Sequence, residues 1–123
     1  MEVILDTNFI ISCIMKGIDF LSQLKERGFK IVVPREVIYE MKDLKLKKSQ
    51  SHDERIAIDV ALQLLSAKEI KRMTLGEGKV DNGLIKKGKE GVYIATLDKE
   101  IKRQIPNRIV IIDAKKEIGI ERS

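Results

Sequence analysis

Short apolar runs alternate with helical segments along the whole of this 123-residue chain. The run Val3-Ile4-Leu5 has no polar alternation, which is typical of a strand buried on both faces of a sheet. Strands are predicted at residues 3–5, 30–33, 70–75, 93–96 and 109–112, and helices at residues 9–14, 20–25, 35–44, 52–67, 80–88 and 99–104. This alternation predicts an α/β fold, a three-layer α/β/α sandwich with a mostly parallel central sheet of about five strands. We expect one domain over residues 1–123.

The chain carries a formal net charge of +5 despite 19 acidic residues. This excess favours a polyanionic partner such as a nucleic acid, although a basic protein without such a partner has the same balance. Aromatic residues make up 4% of the chain and Trp is absent, so few side chains can stack on unpaired bases. Contacts to the phosphate backbone are expected instead.

The single cysteine and the lack of long apolar runs bear on the compartment. Cys13 rules out an internal disulfide and suits a reducing environment, and its apolar surroundings indicate a core residue rather than a nucleophile. No uncharged apolar run approaches the ~20 residues that span a membrane, and the first residues do not resemble a signal peptide. We therefore expect a cytoplasmic protein with no membrane partner.

Two aspartates lie at the ends of predicted strands. Asp6 comes directly after residues 3–5, and Asp98 closes the segment Thr96-Leu97-Asp98 after the strand near residue 93. Ligands of open α/β sheets bind beyond the carboxyl ends of the strands, so both carboxylates are expected at that edge. The alternative is that each aspartate only caps the helix that follows it.

Helical periodicity adds two further acids. Glu40 lies at the margin of the apolar face of the helix at 35–44, so its carboxylate is expected to point along the core. Asp81 precedes Leu84 and Ile85 by three and four residues and is expected on the buried side of its helix, where an unpaired carboxylate is costly. An N-cap role for Asp81 is the alternative.

Carboxylates held together raise one another's pKa unless cations intervene. Mg²⁺ and Mn²⁺ prefer carboxylate oxygens, so such a site needs no His or Cys, and the only histidine, His52, is expected to be exposed and structural. Bound ions polarise a phosphate and lower the pKa of water, whereas Gly76-Glu77-Gly78 lacks the rest of a phosphate-binding loop. The pattern predicts metal-assisted phosphodiester chemistry, with these catalytic and metal-binding residues: Asp6, Glu40, Asp81 and Asp98.

The order of these acids resembles that of the PIN-domain (PilT N-terminus) ribonuclease family over nearly the whole chain. The stretches similar to its four acidic motifs are Asp6-Thr7-Asn8-Phe9-Ile10-Ile11, Glu40, Asp81 with Leu84-Ile85, and Thr96-Leu97-Asp98. The resemblance implies an endoribonuclease that prefers single-stranded RNA and holds Mg²⁺ or Mn²⁺ at the four acids, directly or through water. It also implies that Asn8 and Thr96 orient the acids. Asn82 stands where relatives often have another acid.

Residues 93–105 and 118–122 resemble the branch of this family that acts in small-subunit rRNA processing, and stand-alone archaeal members and VapC-type toxins share the same core. The resemblance implies cleavage of single-stranded or structured RNA through metal-activated water, in rRNA processing with a ribosome-assembly partner or as a toxin with an antitoxin partner. Residues 42–50 are either a solvated loop or an arm that contacts phosphates. The basic residues considered as contacts to the RNA backbone are Lys42, Lys45, Lys47, Lys48, Lys86, Lys87 and Arg103.

Two other interpretations of the chain stay open. A non-catalytic RNA-binding or scaffold PIN domain would also carry these acids, and Asn82 and the lysines of residues 42–50 favour it. A two-component receiver has acids at strand ends too. It normally needs paired acids near its first strand and a lysine after a late strand, whereas here Asp6 is followed by Thr7, and Asp113 follows the last predicted strand.

The helix predicted at residues 52–67 has apolar residues around most of its circumference: Ile56, Ala57, Ile58, Val60, Ala61, Leu62, Leu64 and Leu65. A helix that packs only against its own sheet needs a narrower apolar stripe. We expect a homodimer that uses part of this surface, and the alternative is an unusually buried helix.

Overall fold

The computed structural model describes residues 1–122, which form a six-stranded sheet with helices on both faces. The strands are β1 (Glu2–Leu5), β2 (Lys30–Pro34), β3 (Lys71–Met73), β4 (Tyr93–Ala95), β5 (Asn107–Ile112) and β6 (Glu117–Arg122). The helices are α1 (Thr7–Met15), α2 (Phe20–Glu26), α3 (Arg35–Lys45), α4 (His52–Leu64), α5 (Val80–Lys89) and α6 (Lys99–Arg103). Across the sheet the strands lie in the order β3-β2-β1-β4-β5-β6.

Strands β1 to β5 are all parallel, as the alternation of strands and helices predicts. Val3 of β1 pairs with Ile31 on one side and with Tyr93 on the other, so β1 lies inside the sheet. Leu5 pairs with Ala95, and the carboxyl ends of β1 and β4 are therefore neighbours. The predicted α/β sandwich is confirmed, and it brings the residues that follow these two strands to one edge.

The sheet has one strand more than the five predicted. β6 pairs antiparallel with β5 after a 3₁₀ turn at Asp113–Lys115, and Lys116 completes the turn with a φ of 51°. Gly119 in the middle of β6 weakens the strand signal of its segment in the sequence. It fits the structure because a Cβ at this position would lie 2.8 Å from Ile112 Cδ1.

Two apolar clusters occupy the two faces of the sheet. Val3 and Leu5 point into the larger cluster, which is completed by side chains of α1, α2, α3 and α4. Ile4 points the other way, into a smaller cluster with Leu84 of α5 and Ile101 of α6. Successive residues of a strand face opposite sides of a sheet, so a short unalternating strand supplies both cores.

The predicted elements agree with the observed ones to within two residues, except for the end of α4. This helix begins with the predicted capping box, because Ser51 Oγ accepts the N–H of Glu54 at 3.1 Å and donates to Glu54 Oε1 at 3.0 Å. It ends at Leu64 instead of continuing to residue 67, since turns follow it. Among residues 1–122, no helix is long and apolar enough to cross a membrane.

Candidate active site

Asp6 is a buried carboxylate at the carboxyl end of β1, with 6% of its surface exposed. Its Oδ1 accepts the N–H of Thr7 at 2.9 Å, and its Oδ2 accepts the hydroxyl of Thr96 at 2.7 Å. The second contact follows from the pairing of β1 with β4, which brings residues 6 and 96 together. Two hydrogen bonds thus fix the orientation of a carboxylate that lies largely out of water.

Thr96 connects Asp6 with two other predicted residues. It is fully buried, and its Oγ1 also accepts the N–H of Asp98 at 3.1 Å. Asn8 Oδ1 accepts the N–H of Leu97 at 3.1 Å and lies 3.5 Å from Thr96 Oγ1. The structure therefore brings Asp6, Asn8 and Thr96 into one hydrogen-bonded network, which joins the start of α1 to the end of β4.

The surroundings of Asp6 raise its pKa above the ordinary value. Burial is the largest cause, because it removes the charged form from water. The hydrogen bonds from Thr96 and Thr7 lower the pKa, and the negative charges of Glu40 and Asp81 raise it. The charges of Glu40 and Asp81 therefore act on Asp6, while Asp98 is not among the groups that shift the pKa of Asp6.

The expectation that Glu40 and Asp81 face the core is wrong, because both residues are exposed. Their helices bury the neighbouring residues Met41 and Leu84, and the two acids stand at the rim of the core where solvent reaches them. This position removes the desolvation cost that the prediction assumed. Asp81 does not cap α5 either, since Lys79 occupies the N-cap position and no side chain caps that helix.

Asp98 is half-buried and caps α6, because its Oδ1 accepts the N–H of Glu100 at 2.9 Å. Asp6 likewise is the N-cap residue of α1. The capping role expected as an alternative is therefore present in both aspartates. It leaves Asp98 Oδ2 without a hydrogen bond from any residue in the range 1–122.

The donor chemistry of these acids fits a hard divalent cation, since Mg²⁺ and Mn²⁺ prefer carboxylate oxygens. In the part of the chain that the structure describes, none of the four acids forms an ion pair with a basic side chain. As placed, however, no three His, Cys, Asp or Glu side chains in this part are close enough to hold a metal ion between them. Mg²⁺ keeps several waters, so ligation partly through water fits this spacing. The four-carboxylate metal site stays a prediction.

Comparison with models of known protein families identifies the family of this chain. The model of a family described as a PIN like domain matches residues 3–116, a range that includes all four acids. The chain belongs to the PIN-like domain family. This match confirms the resemblance to the PIN-domain family that the sequence shows. A separate search of curated proteins finds no significant match.

Solved PIN domains are similar in fold to this PIN-like domain. The PIN domain endonuclease Utp24 has 21% sequence identity and a TM-score of 0.77, and the match covers 99% of this chain and 92% of that chain. The PIN domain of human SMG5 has 15% identity and a TM-score of 0.47, over 80% of this chain and 83% of that chain. At its level of identity, the first match shows that the fold is that of a PIN domain.

Glu36 of α3 was not predicted to have a role, although it lies one turn before Glu40. Its Oε2 accepts the N–H groups of Leu75 at 2.9 Å and of Gly76 at 3.2 Å, in the segment that leads into α5. Leu75 in turn lies against α5, where a Cβ added to Gly83 would be 2.9 Å from Leu75 Cβ. Glu36 thereby ties α3 to the helix that carries the third acid. No local pattern in the sequence indicates this contact.

A groove of about 470 Å³ opens beside the acids. Thr7, Asn8 and Glu40 line it together with the apolar side chains of Ile11 and Leu44. The hydroxyl of Thr7 is buried and has no hydrogen-bond partner within the described residues. The groove therefore offers apolar surface beside Asn8 and Glu40, whereas the Thr7 hydroxyl lies beneath its surface.

The basic residues predicted to contact RNA divide into two groups. Three of them are ion-paired, with the distances 2.5 Å for Lys45 to Asp59, 3.9 Å for Lys87 to Glu90 and 2.6 Å for Arg103 to Glu100. The others are exposed and form no ion pair within residues 1–122: Lys42, Lys47, Lys48 and Lys86. His52 is exposed and Cys13 is fully buried, as predicted, and Asn82 is exposed beside Asp81.

Proposed function

We propose that this PIN-like domain is a divalent-metal-dependent endoribonuclease that hydrolyses single-stranded or structured RNA. The observation that carries the proposal is a buried Asp6 at the carboxyl end of β1, held in place by two hydrogen bonds and subject to the negative charges of Glu40 and Asp81. Holding uncompensated carboxylates together costs stability, and a bound cation offsets this cost. The similarity in fold to a PIN domain endonuclease supports the same chemistry.

The residues that would hold Mg²⁺ or Mn²⁺ are Asp6, Glu40, Asp81 and Asp98. Such an ion supplies Lewis acidity at the phosphate and lowers the pKa of water when it is bound. Thr96 and Thr7 hold the Asp6 carboxylate in one orientation, and Asn8 fixes the start of the β4–α6 turn through Leu97. Asp6 is therefore oriented before a substrate arrives, and such preorganisation is the condition for electrostatic stabilisation of a transition state.

RNA is the proposed substrate because the chain is basic and Lys47, which forms no ion pair within residues 1–122, shares a cavity with Glu40. The net charge is +5. Lys47 lines a cavity of about 420 Å³ together with Glu40, so a phosphate bound there would lie close to the acids. Lys42, Lys48 and Lys86 are the further proposed contacts, whereas ion pairs weaken the contribution expected of Lys45, Lys87 and Arg103.

Cleavage of single-stranded RNA in the presence of Mn²⁺ tests this function. Wild-type protein is expected to cleave and to stop when EDTA is added, and Asp6→Asn and Asp98→Asn are expected to be inactive. Glu26→Gln is the matched control, because this exposed acid ends α2 just before the amino end of β2, whereas Asp6 and Asp98 follow the carboxyl ends of strands, and because it forms no ion pair within residues 1–122. Lack of cleavage by the wild type, or cleavage that survives Asp6→Asn, would contradict the proposal.

The biological role is proposed from the resemblance of residues 93–105 and 118–122, which favours rRNA processing with a ribosome-assembly partner over a VapC-type toxin with an antitoxin. Precursor small-subunit rRNA, tRNA and mRNA can be compared as substrates under the same Mn²⁺ concentration. Selective cleavage of the rRNA precursor is expected. Cleavage of tRNA or mRNA alone would favour the toxin.

A second candidate function is a non-catalytic RNA-binding PIN domain. The observations that favour it are the exposed Asn82, the capping role of Asp98 and the absence, within residues 1–122, of three acids close enough to hold a metal. RNA binding that persists in EDTA, without cleavage under any divalent ion, is the result that this function predicts.

A homodimer through α4 is proposed from the two apolar faces of this helix. One face is buried in the protein and comprises Ala57, Ile58, Ala61 and Leu65. The other face, which we name the α4 stripe, comprises Ile56, Val60 and Leu64, with 48%, 37% and 42% of their surfaces exposed. Large apolar side chains at a spacing of four residues form a continuous strip that a second helix can cover.

Charge complementarity favours a second copy of the chain as the occupant of the α4 stripe. Asp53 lies at the amino-terminal end of the stripe, and Lys68 lies beyond its carboxyl-terminal end. An antiparallel, two-fold pair centred on Val60 would place Asp53 near Lys68 of the partner subunit. Light scattering at micromolar concentration is expected to give twice the 14.0 kDa of one chain, and Val60→Glu to give the monomer. A monomeric wild type would contradict the dimer.

A further inference from the structure

Tyr39 is an exposed aromatic residue next to Glu40 on α3, with 60% of its surface accessible. The other four aromatic residues of the chain are buried: Phe9, Phe20, Phe29 and Tyr93. Within residues 1–122, the ring of Tyr39 packs against no other aromatic ring and its hydroxyl makes no hydrogen bond. The ring is therefore available to a ligand.

Two cavities of different charge lie on either side of Tyr39. Arg35, Tyr39 and Lys42 recur along one face of α3, and together with Arg72 of β3 they line a cavity of about 210 Å³. On the other side, Tyr39 and Glu40 line the cavity of about 420 Å³ that contains Lys47. Tyr39 thus separates a basic cavity from one that contains Glu40 of the candidate active site and two further acids, Glu36 and Asp43.

The cations of the basic cavity are free to bind an anion. Within the residues that the structure describes, Arg35 and Lys42 form no ion pair, and Arg72 donates only to the carbonyl of Leu65, at 3.0 Å. Three cations without carboxylate partners around an exposed ring attract a polyanion that also has flat, unpaired groups to stack. Single-stranded RNA has both properties, since its bases are not hidden in a duplex.

We propose that Tyr39 is a stacking platform for an unpaired RNA base beside the cleavage site, and that Arg35, Lys42 and Arg72 bind the adjacent phosphates. This inference rests on the proposed function and deepens it, because it assigns the course of the RNA across α3. The base lies on Tyr39, and the reacting phosphate lies on the side of Glu40. A base can stack on the ring only when it is unpaired, so Tyr39 selects for single strands at the cut.

Binding of a short oligouridylate in EDTA tests the platform without any cleavage. Tyr39→Ala is expected to weaken the affinity about tenfold, and Tyr39→Phe to stay near wild type because it keeps the ring. Ile112→Ala is the control, since it removes an exposed apolar side chain of β5, and it is expected to bind as the wild type does. Because Tyr39 is largely exposed, its substitution is expected to leave the melting temperature unchanged.

Tyrosine emission gives a second readout that a merely structural role would not move. The chain has no Trp, and Tyr93 is buried against Phe29. Tyr39 is therefore the tyrosine whose emission a bound RNA base can quench by contact. Oligouridylate is expected to quench the emission of the wild type and to leave that of Tyr39→Phe unchanged although this variant binds. The double variant Arg35→Ala with Lys42→Ala is expected to reduce the magnitude of the slope of log affinity against log salt by about 1.4, since each lost phosphate contact to a single strand contributes about 0.7.

Heparin, which is a polyanion without bases, separates stacking from charge. A loss of oligouridylate affinity in Tyr39→Ala with unchanged heparin affinity supports the platform. Unchanged oligouridylate affinity, or an equal loss for heparin, overturns it. A wild type that binds oligouridylate with quenching but cleaves no RNA contradicts the proposed nuclease and leaves the platform standing.

Discussion

The hydroxyl of Thr96 donates a hydrogen bond of 2.7 Å to Asp6 Oδ2, from the end of β4 to the end of β1. This bond lowers the pKa of Asp6, while burial and the charges of Glu40 and Asp81 raise it. The charge at the centre of the candidate site therefore depends on a balance between hydrogen bonding and desolvation. Single substitutions shift that balance in directions that can be measured.

Thr96→Ala is expected to raise the pKa of Asp6 further, because it removes the largest interaction that lowers it. The acidic limb of the pH–rate profile then moves to higher pH, and the lost buried hydrogen bond costs about 1–3 kcal/mol of unfolding free energy. Thr96→Ser keeps the hydroxyl and serves as the matched control. Carboxyl NMR titration and RNA cleavage between acidic and neutral pH measure both effects. An acidic limb that stays in place in Thr96→Ala would be inconsistent with this role of the hydroxyl.

Asp6→Asn is expected to raise stability near neutral pH in metal-free buffer. Since the pKa of Asp6 is raised in the folded state, the protonated form favours folding. That contribution is fully present below the pKa of the unfolded state and is lost as pH rises through the pKa of the folded state. Asn carries no charge at any pH, so the variant is expected to melt above the wild type at neutral pH and at a similar temperature at pH ~3. Calorimetry at both pH values measures this, and a variant that is less stable at neutral pH contradicts the account.

Glu36→Ala is expected to loosen the segment that leads into α5. It leaves the N–H groups of Leu75 and Gly76 without their acceptor, at a cost of about 1–3 kcal/mol. Amide hydrogen exchange should become faster at these two residues. Glu77→Ala removes an exposed carboxylate from the same segment and is expected to change neither exchange nor stability. Equal effects of the two substitutions would show that Glu36 acts only through its charge.

Cys13 is expected to be unreactive in the folded protein. Burial raises the pKa of its thiol to about 12, and the thiolate is the form that attacks disulfide reagents. An aromatic disulfide reagent at pH ~8 should therefore modify the native protein only as fast as the chain unfolds. Complete labelling within the mixing time, without denaturant, would mean that Cys13 is accessible.

The sequence predicts five of the six strands of the sheet, because unalternating apolar runs are typical of parallel strands that are buried on both faces. β6 was not predicted, since Gly119 interrupts its strand signal, and besides its pairing with β5 the strand has a contact to a distant helix. Ile118 donates its N–H to Gln23 Oε1 of α2 at 2.8 Å, and this contact joins residues far apart in the chain. Local patterns do not contain such information.

Within the candidate site, the strand ends correctly predict that Asp6 and Asp98 lie at one edge of the sheet. Helical periodicity predicts the burial of Glu40 and Asp81 wrongly. Phase identifies the face of a helix on which Glu40 lies, but it does not show how far neighbouring elements cover the rim. Glu40 and Asp81 are therefore exposed where burial was expected. The low aromatic content indicates that few side chains can stack on bases, yet composition does not reveal that Tyr39 is exposed next to Glu40.

The most direct test of the central claim is a Mn²⁺ titration of single-stranded RNA cleavage by wild type and Asp6→Asn, with circular dichroism showing that both are folded. We expect saturable, EDTA-sensitive cleavage by the wild type and a loss of at least about 100-fold in Asp6→Asn. Equal rates for the two proteins, or cleavage by the wild type that is unaffected by EDTA, would contradict the claim that these acids form the metal site of a ribonuclease.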